Sequence, residues 1–333
     1  MSTADDPAEV RVGDLSEGAI LARILARLAP SAAPVGPGDD AAVLAAPDGR
    51  VVATVDTLVH GPDFRLAWSS PFDLGWKSAA VNLADVAAMG ARPTALLVAL
   101  AMPNDTPLPF VERLADGLRA ACDELAPGAA VEGGDLTVSD TLTIAVTALG
   151  TLDGGAPVLR SGARAGDVVA LAGEAGAAAR GLDVLFRRFR DLAGEPTPIA
   201  FDELDAGERA CVEAQLRPRP PIALGPVAAA TGATAMMDVS DGIALDATRM
   251  AEASDVSIWI DSAALGARRG WAVDGGEDHA LLAAFRSDTA LPPGFRAIGH
   301  VRDRGEAPLL VDGEPYEGRA GWDPYRDWDS ATG

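Results

Sequence analysis

The chain has 333 residues, of which 48% are hydrophobic, and a formal net charge of −22. This length allows two domains of ordinary size, and this composition can bury a sizeable core. The strong acidity argues against nucleic acid and anionic membrane surfaces as partners, because both are bound through clustered lysine and arginine.

The sequence also limits the cellular setting and the metal chemistry. It has no run of 18 apolar residues, and its acidic N-terminal segment lacks the signal-peptide pattern, so a cytoplasmic location is expected. Cys122 and Cys211 lie far apart in helix-like, alanine-rich stretches, which is typical of reduced, buried thiols. With three scattered histidines, a zinc site is not indicated.

The first half of the chain is predicted to mix helices with strands. Apolar residues at helical spacing predict helices over residues 16–29, 72–89 and 110–125. Apolar runs bounded by turn residues predict strands over residues 41–45, 50–55, 94–102, 129–132 and 141–149.

The second half continues in the same manner. Strands are predicted over residues 167–172, 256–260 and 280–285 and in a segment that ends at Asp238. Helices are predicted over residues 177–192, 222–230 and 241–253, with a loop over residues 193–207. Because the order is not strictly βαβ, we expect two α+β domains, residues 1–152 and 153–333, divided near Asp153-Gly154-Gly155.

Acidic residues stand in four segments where a strand is expected to stop and a turn to begin. They are Asp39 and Asp40, Asp56, Asp135, and Asp238 with Asp241. A single aspartate is often only a turn or cap residue, so the inference depends on the whole set. If the fold gathers these side chains, their charges repel, and divalent cations such as Mg²⁺ would relieve the repulsion and bridge to triphosphate oxygens.

A polar stripe crosses the otherwise apolar helix predicted over residues 72–89. Ser78, Asn82 and Asp85 follow one another at the spacing of one helix face. A solvated face and a functional face both explain that pattern. The familiar phosphate motifs G-x-x-x-x-G-K-[ST] and G-x-G-x-x-G are missing, so a nucleotide would be held through metals and glycine N–H groups.

Seven motifs occur in an order that resembles the thiamine-monophosphate kinase family. They are Gly38-Asp39-Asp40-Ala41-Ala42-Val43, Asp56-Thr57-Leu58-Val59, the segment 75–91, Gly133-Gly134-Asp135, Arg160-Ser161-Gly162-Ala163, Asp238-Val239-Ser240-Asp241-Gly242 and Gly275-Gly276-Glu277-Asp278. The resemblance implies the α+β fold of the aminoimidazole-ribonucleotide-synthetase superfamily. It also implies a homodimer paired through N-terminal sheets, and Mg²⁺-dependent transfer from ATP to thiamine monophosphate. In this arrangement the first domain would bind metal and ATP, and the second would bind the substrate.

Position by position, the resemblance assigns roles to residues of this chain. Metal ligands would be Asp40, Thr54, Val55 through its carbonyl, Asp56, Asp85, Asp135, Asp238 and Asp241. ATP would contact Gly134, Asp135, Arg160 and Ser240, and the substrate would contact Asp63, Glu277 and Trp322. No general base is expected, since the nucleophile is already a phosphate oxygen, and Asp241 is the one candidate catalytic group.

Three departures from the family pattern leave other functions open. Asp63-Phe64 replaces the usual His-Phe, His279 replaces a tyrosine, and the stretch 260–275 is shorter. One alternative is another ATP-dependent enzyme of the same superfamily with a different acceptor. A second is a non-catalytic protein that binds a nucleotide or thiamine.

Overall fold

The structure is a computed structural model that describes residues 10–31, 33–37 and 41–318. Asp39, Asp40 and Trp322 therefore lie outside the described residues. None of the helices within the described ranges is long and apolar enough to cross a membrane.

The first sheet has four strands in the order β1-β4-β2-β3. The strands are β1 (Val52–Val59), β2 (Arg92–Met102), β3 (Ala130–Val138) and β4 (Thr143–Thr151). The β4 strand pairs antiparallel with β1 and β2, while β2 and β3 are parallel. The described residues of this half form three α-helices: α1 (Glu17–Leu25), α2 (Pro71–Ala88) and α3 (Leu108–Leu125).

The α2 helix begins at Pro71, one residue before its predicted start, and has a complete capping box at its N-terminus. The Ser70 side chain accepts from the Asp73 backbone N–H, the Asp73 carboxylate accepts from the Ser70 backbone, and Pro71 occupies the first turn. From Leu74 onward nearly every side chain is buried, because α2 lies between the sheet and α3. This helix is therefore a rigid central element.

The second sheet has seven strands in the order β11-β10-β7-β9-β5-β8-β6. They are β5 (Val168–Ala172), β6 (Ala235–Val239), β7 (Val256–Ile260), β8 (Ala280–Phe285), β9 (Phe295–Asp303), β10 (Leu309–Val311) and β11 (Glu314–Pro315). The accompanying helices are α4 (Ala177–Arg188), α5 (Ala206–Leu216), α6 (Leu224–Thr231), α7 (Ile243–Ser254) and α8 (Arg269–Asp274).

Several predictions of local structure were wrong. Instead of a strand over residues 41–45, the described part of that segment has one isolated bridge, Val35 to Val43. Asp56 and Asp135 do not end strands, since β1 continues to Val59 and β3 to Val138. Both are edge strands, where polar side chains do not have to be buried between neighbours.

The stripe on α2 also proved not to be a solvated face. Ser78 and Asn82 are almost fully buried. The Asn82 Oδ1 accepts from the backbone N–H of Asp56 at 2.9 Å, so this face of α2 points at β1. The sequence patterns also predicted none of α8, β9, β10 and β11.

Candidate active site

Three carboxylates from three separate elements lie close enough to influence one another's ionisation. We call Asp56 on β1, Asp85 on α2 and Asp238 on β6 the acidic cluster. Burial raises the pKa of Asp85 to about 7, and the charges of Asp238 and Asp56 add to that effect. Loss of hydration also raises the pKa of Asp56, with contributions from Asp238 and Glu277. The carboxylates of the acidic cluster thus repel one another, and the nearby His279 offsets part of that repulsion.

Thr54 and His279 hold two members of the acidic cluster. The Thr54 hydroxyl donates to the Asp85 carboxylate at 2.8 Å. The His279 Nδ1 lies 3.1 Å from Asp238 Oδ2. Burial alone would lower the pKa of His279, but the hydrogen bond and charge of Asp238 outweigh it and raise that pKa. His279, which the sequence showed only as a departure from a family tyrosine, is therefore part of the site.

The loop that contains Ser240 and Asp241 packs closely against the loop that contains Glu277. The Glu277 N–H donates to the Ser240 carbonyl at 2.8 Å. A Cβ on Gly276 would stand 1.8 Å from the same carbonyl oxygen, so only glycine allows this approach. Glu277 itself adopts a left-handed backbone with φ +74°, a conformation that is often maintained at functional sites.

Asp241 is already paired in the structure. The Arg249 guanidinium donates to Asp241 at 2.6 Å and to Asp246 at 2.8 Å. The Asp246 carboxylate, fully buried, also accepts from the Asp241 backbone N–H at 3.1 Å. Sequence reasoning missed both partners, although Asp246 and Arg249 stand one turn apart on α7 next to the Ser240-Asp241 motif.

Near the acidic cluster, a second group of charges surrounds Glu277. Lys77 of α2 forms an ion pair with the Glu277 carboxylate. The Asp63 carboxylate accepts from the Val59 N–H at 2.7 Å. Burial raises the pKa of Asp63 and the charge of Glu277 raises it further. Asp63 and Glu277, both predicted to contact substrate, are thus near enough for the charge of one to act on the other.

Four further predicted residues form no side-chain hydrogen bond or ion pair with either group within the described residues. Asp135 and Arg160 are exposed, and within the described ranges no hydrogen bond or ion pair joins either to the acidic cluster. A Cβ on Gly134 would lie 2.2 Å from the Val98 carbonyl oxygen, so Gly134 permits close pairing of β3 with β2. Val55 is an exposed residue of β1.

The donor chemistry of the acidic cluster suits Mg²⁺. Carboxylate oxygens are the ligands this cation prefers, and the mutual repulsion of the three groups favours bound positive charge. Across residues 10–31, 33–37 and 41–318, no three His, Cys, Asp or Glu side chains are already arranged to hold a metal ion. Asp40, a further predicted ligand, lies outside those ranges.

Comparison with known proteins identifies the family. Residues 38–152 match the family described as AIR synthase related protein, N-terminal domain. Thiamine-monophosphate kinase of Mycobacterium tuberculosis is 42% identical over 332 residues, covering 95% of this chain and 93% of that protein. The chain belongs to the thiamine-monophosphate kinase family. The family member of Corynebacterium glutamicum is 39% identical, and the alignment covers 93% of this chain and 94% of that protein.

Solved structures of the family share the fold. Thiamine-monophosphate kinase of Stenotrophomonas maltophilia superposes with a TM-score of 0.73 at 32% identity, covering 91% of this chain and 98% of that one. AaThiL, complexed with AMPPCP and TMP, gives a TM-score of 0.71 at 28% identity, covering 95% of this chain and 99% of that one. The predicted α+β fold of the aminoimidazole-ribonucleotide-synthetase superfamily is confirmed.

Proposed function

We propose that this chain transfers the γ-phosphoryl group of ATP to thiamine monophosphate and releases thiamine diphosphate and ADP. The observation that carries the proposal is the 42% identity to a thiamine-monophosphate kinase over 95% of the chain. The site supports it independently, because it joins an acidic cluster suited to Mg²⁺ with a carboxylate, Glu277, that suits a cationic thiazolium ring.

The residues present are sufficient for this chemistry. A phosphate oxygen of thiamine monophosphate is already a nucleophile, so positioning and charge neutralisation supply the catalysis. Bound Mg²⁺ would neutralise the developing charge on the transferring phosphoryl group. We assign the metal to Asp56, Asp85 and Asp238, with Asp40, Asp135, Thr54, the Val55 carbonyl and Asp241 as further ligands.

The remaining roles follow the family pattern. We assign the binding of ATP to four residues: Gly134, Asp135, Arg160 and Ser240. We assign the binding of the acceptor to Asp63, Glu277 and Trp322. For Asp241 to act as a ligand or catalytic group, it must compete with its ion pair to Arg249, which lies at 2.6 Å. Since ATP is the donor, we place the reaction in the cytoplasm.

We also propose a homodimer and two domains, residues 1–152 and 153–333. All strands of the first sheet precede Leu152, and all strands of the second follow Asp167. Three exposed valines lie on or beside the edge strands of the first sheet: Val51, Val55 and Val138. Such apolar residues suit pairing with a second copy. Sedimentation of the purified chain at twice the monomer mass would support the dimer, and a monomer at micromolar concentration would contradict it.

The deciding experiment measures ADP release from ATP and Mg²⁺, with and without thiamine monophosphate, and separates the products by chromatography. Acceptor-dependent ADP matched by thiamine diphosphate would establish the activity. ADP release without thiamine diphosphate would favour another acceptor, and no turnover would favour a binding protein.

Removing divalent metal is expected to weaken ATP binding sharply. The triphosphate and the acidic cluster are both anionic, so without Mg²⁺ they repel one another. Calorimetric titration with ATP should show the affinity falling at least tenfold when excess EDTA replaces Mg²⁺. Unchanged affinity in EDTA would contradict the assignment of metal to the acidic cluster.

A further inference from the structure

Lys77 is the only lysine among 333 residues, whereas lysine and arginine together number 27. It is buried in α2, with 5% of its surface exposed. A buried ammonium group is costly unless a carboxylate and further hydrogen-bonding groups compensate for its lost hydration. The structure supplies that compensation from the other half of the chain, through Glu277 and Gln215.

Gln215 of α5 is a second hydrogen-bonding partner of the Lys77 ammonium. With its amide oriented to satisfy both ends, Gln215 accepts from the Lys77 ammonium at 3.2 Å and donates to the Ala178 carbonyl at 3.2 Å. Gln215 is itself buried. The ammonium of Lys77 therefore has a defined position rather than a range of rotamers.

Glu277 contrasts with its partner in exposure. Its side chain keeps 42% of its surface accessible, whereas that of Lys77 keeps 6%. The Glu277 carboxylate is thus accessible to solutes, and it is paired with the buried ammonium of Lys77. The backbone of Glu277 is left-handed, at φ +74°, a conformation that the surrounding structure has to maintain in a residue other than glycine.

The same helix also contacts the acidic cluster. Asp85 follows Lys77 by eight residues on α2, a rise of about 12 Å at 1.5 Å per residue. Between them, Asn82 binds the backbone of Asp56. One rigid, buried helix therefore contacts the Glu277 carboxylate through Lys77 and the acidic cluster through Asn82 and Asp85.

We propose that Lys77 is a positioning residue for the acceptor, acting through Glu277. It keeps the Glu277 carboxylate at a fixed spacing from the acidic cluster, so that an acceptor bound at Glu277 places its phosphate in line with the donor. This inference rests on the proposed function. In-line transfer is sensitive to spacing, since a misplacement of about 1 Å can cost 10²-fold in rate. Lysine suits this position because its compact ammonium is contacted by both Glu277 and Gln215.

Steady-state kinetics of Lys77→Met test the proposal. We expect KM for thiamine monophosphate to rise at least tenfold and kcat to fall, while KM for ATP stays within twofold. Lys77→Arg keeps the charge and should recover part of the loss. An unchanged KM for thiamine monophosphate in Lys77→Met, with wild-type turnover, would overturn the proposal.

Arg219→Met is the matched control for a general loosening of α2. The Arg219 guanidinium lies 4.7 Å from the ring centroid of Trp76, the residue before Lys77, and pairs with Glu124 at 2.9 Å, but it does not contact Glu277. We expect wild-type kinetics from this variant. If Arg219→Met shows the same rise in KM as Lys77→Met, Lys77 has only a structural role.

A single lysine also allows a test in the unaltered protein. Lysine-selective ¹³C labelling gives one ε-methylene signal, which needs no assignment. Adding thiamine monophosphate should shift this signal in the wild-type chain, and Glu277→Gln should reduce the shift. If the ε-methylene signal does not shift when thiamine monophosphate is added, the proposal is overturned, even if Lys77→Met does not fold. If the wild-type chain makes no thiamine diphosphate, the proposed function fails, and this signal still decides whether Lys77 responds to the acceptor.

Discussion

Asp85→Asn is expected to abolish most of the activity while leaving the metal-free protein as stable as the wild type or more so. Asp85 has its pKa raised to about 7 by burial and by Asp238, and its charge is needed only when Mg²⁺ is bound. Loss of one group that stabilises the transition state typically costs about 10²- to 10³-fold in kcat. We expect a loss of this size in thiamine diphosphate formation.

The stability effect of this substitution has a defined pH dependence. Because the folded-state pKa lies above the unfolded value, ionisation of Asp85 destabilises the folded wild type as pH rises from about 4 to 7. In EDTA, the advantage of Asp85→Asn should be absent near pH 4 and complete above pH 7. Thermal unfolding at pH 4, 6 and 8 would measure it.

Asp288→Asn is the control for these measurements. Asp288 is exposed and pairs with Arg286 at 3.1 Å, away from the site. It should leave turnover unchanged. Equal activity in Asp85→Asn and wild type would remove Asp85 from the metal site, and a lower metal-free stability at pH 8 would contradict the proposed repulsion.

Gly117→Ala is expected to destabilise the protein by about 3 kcal/mol or more, the upper range for overpacking a core. A Cβ there would lie 2.1 Å from the carbonyl oxygen of Phe72, and one on Gly75 would lie 2.0 Å from that of Leu114. The two glycines let α2 and α3 approach backbone to backbone, so a methyl group on either must separate the helices.

Gly18→Ala is a matched substitution in another helix. Gly18 lies in α1, and a Cβ there would meet nothing within 4 Å. Since alanine favours helix over glycine, this variant should be more stable by about 0.5 kcal/mol. Urea denaturation midpoints would compare the two. A near-wild-type midpoint for Gly117→Ala would show that α2 and α3 can separate at little cost.

Local patterns predicted a large part of the fold. Helical spacing located α2 and α3 to within two residues at each end, because periodicity is a property of neighbouring residues. The short strands β10 and β11 have three and two residues, too few for a period to be recognised. Motif order identified the family before any contact was known.

The sequence by itself determined the family, the α+β class and the set of acidic residues, since these depend on residue types and their order. Only the tertiary structure decided which of these acidic residues lie close together. It brought Asp56, Asp85 and Asp238 close enough for their charges to act on one another. It also paired Lys77 with Glu277 and Asp241 with Arg249. The reason is physical. Such contacts depend on how helices and strands from distant segments pack, whereas the patterns along the chain depend only on neighbouring residues.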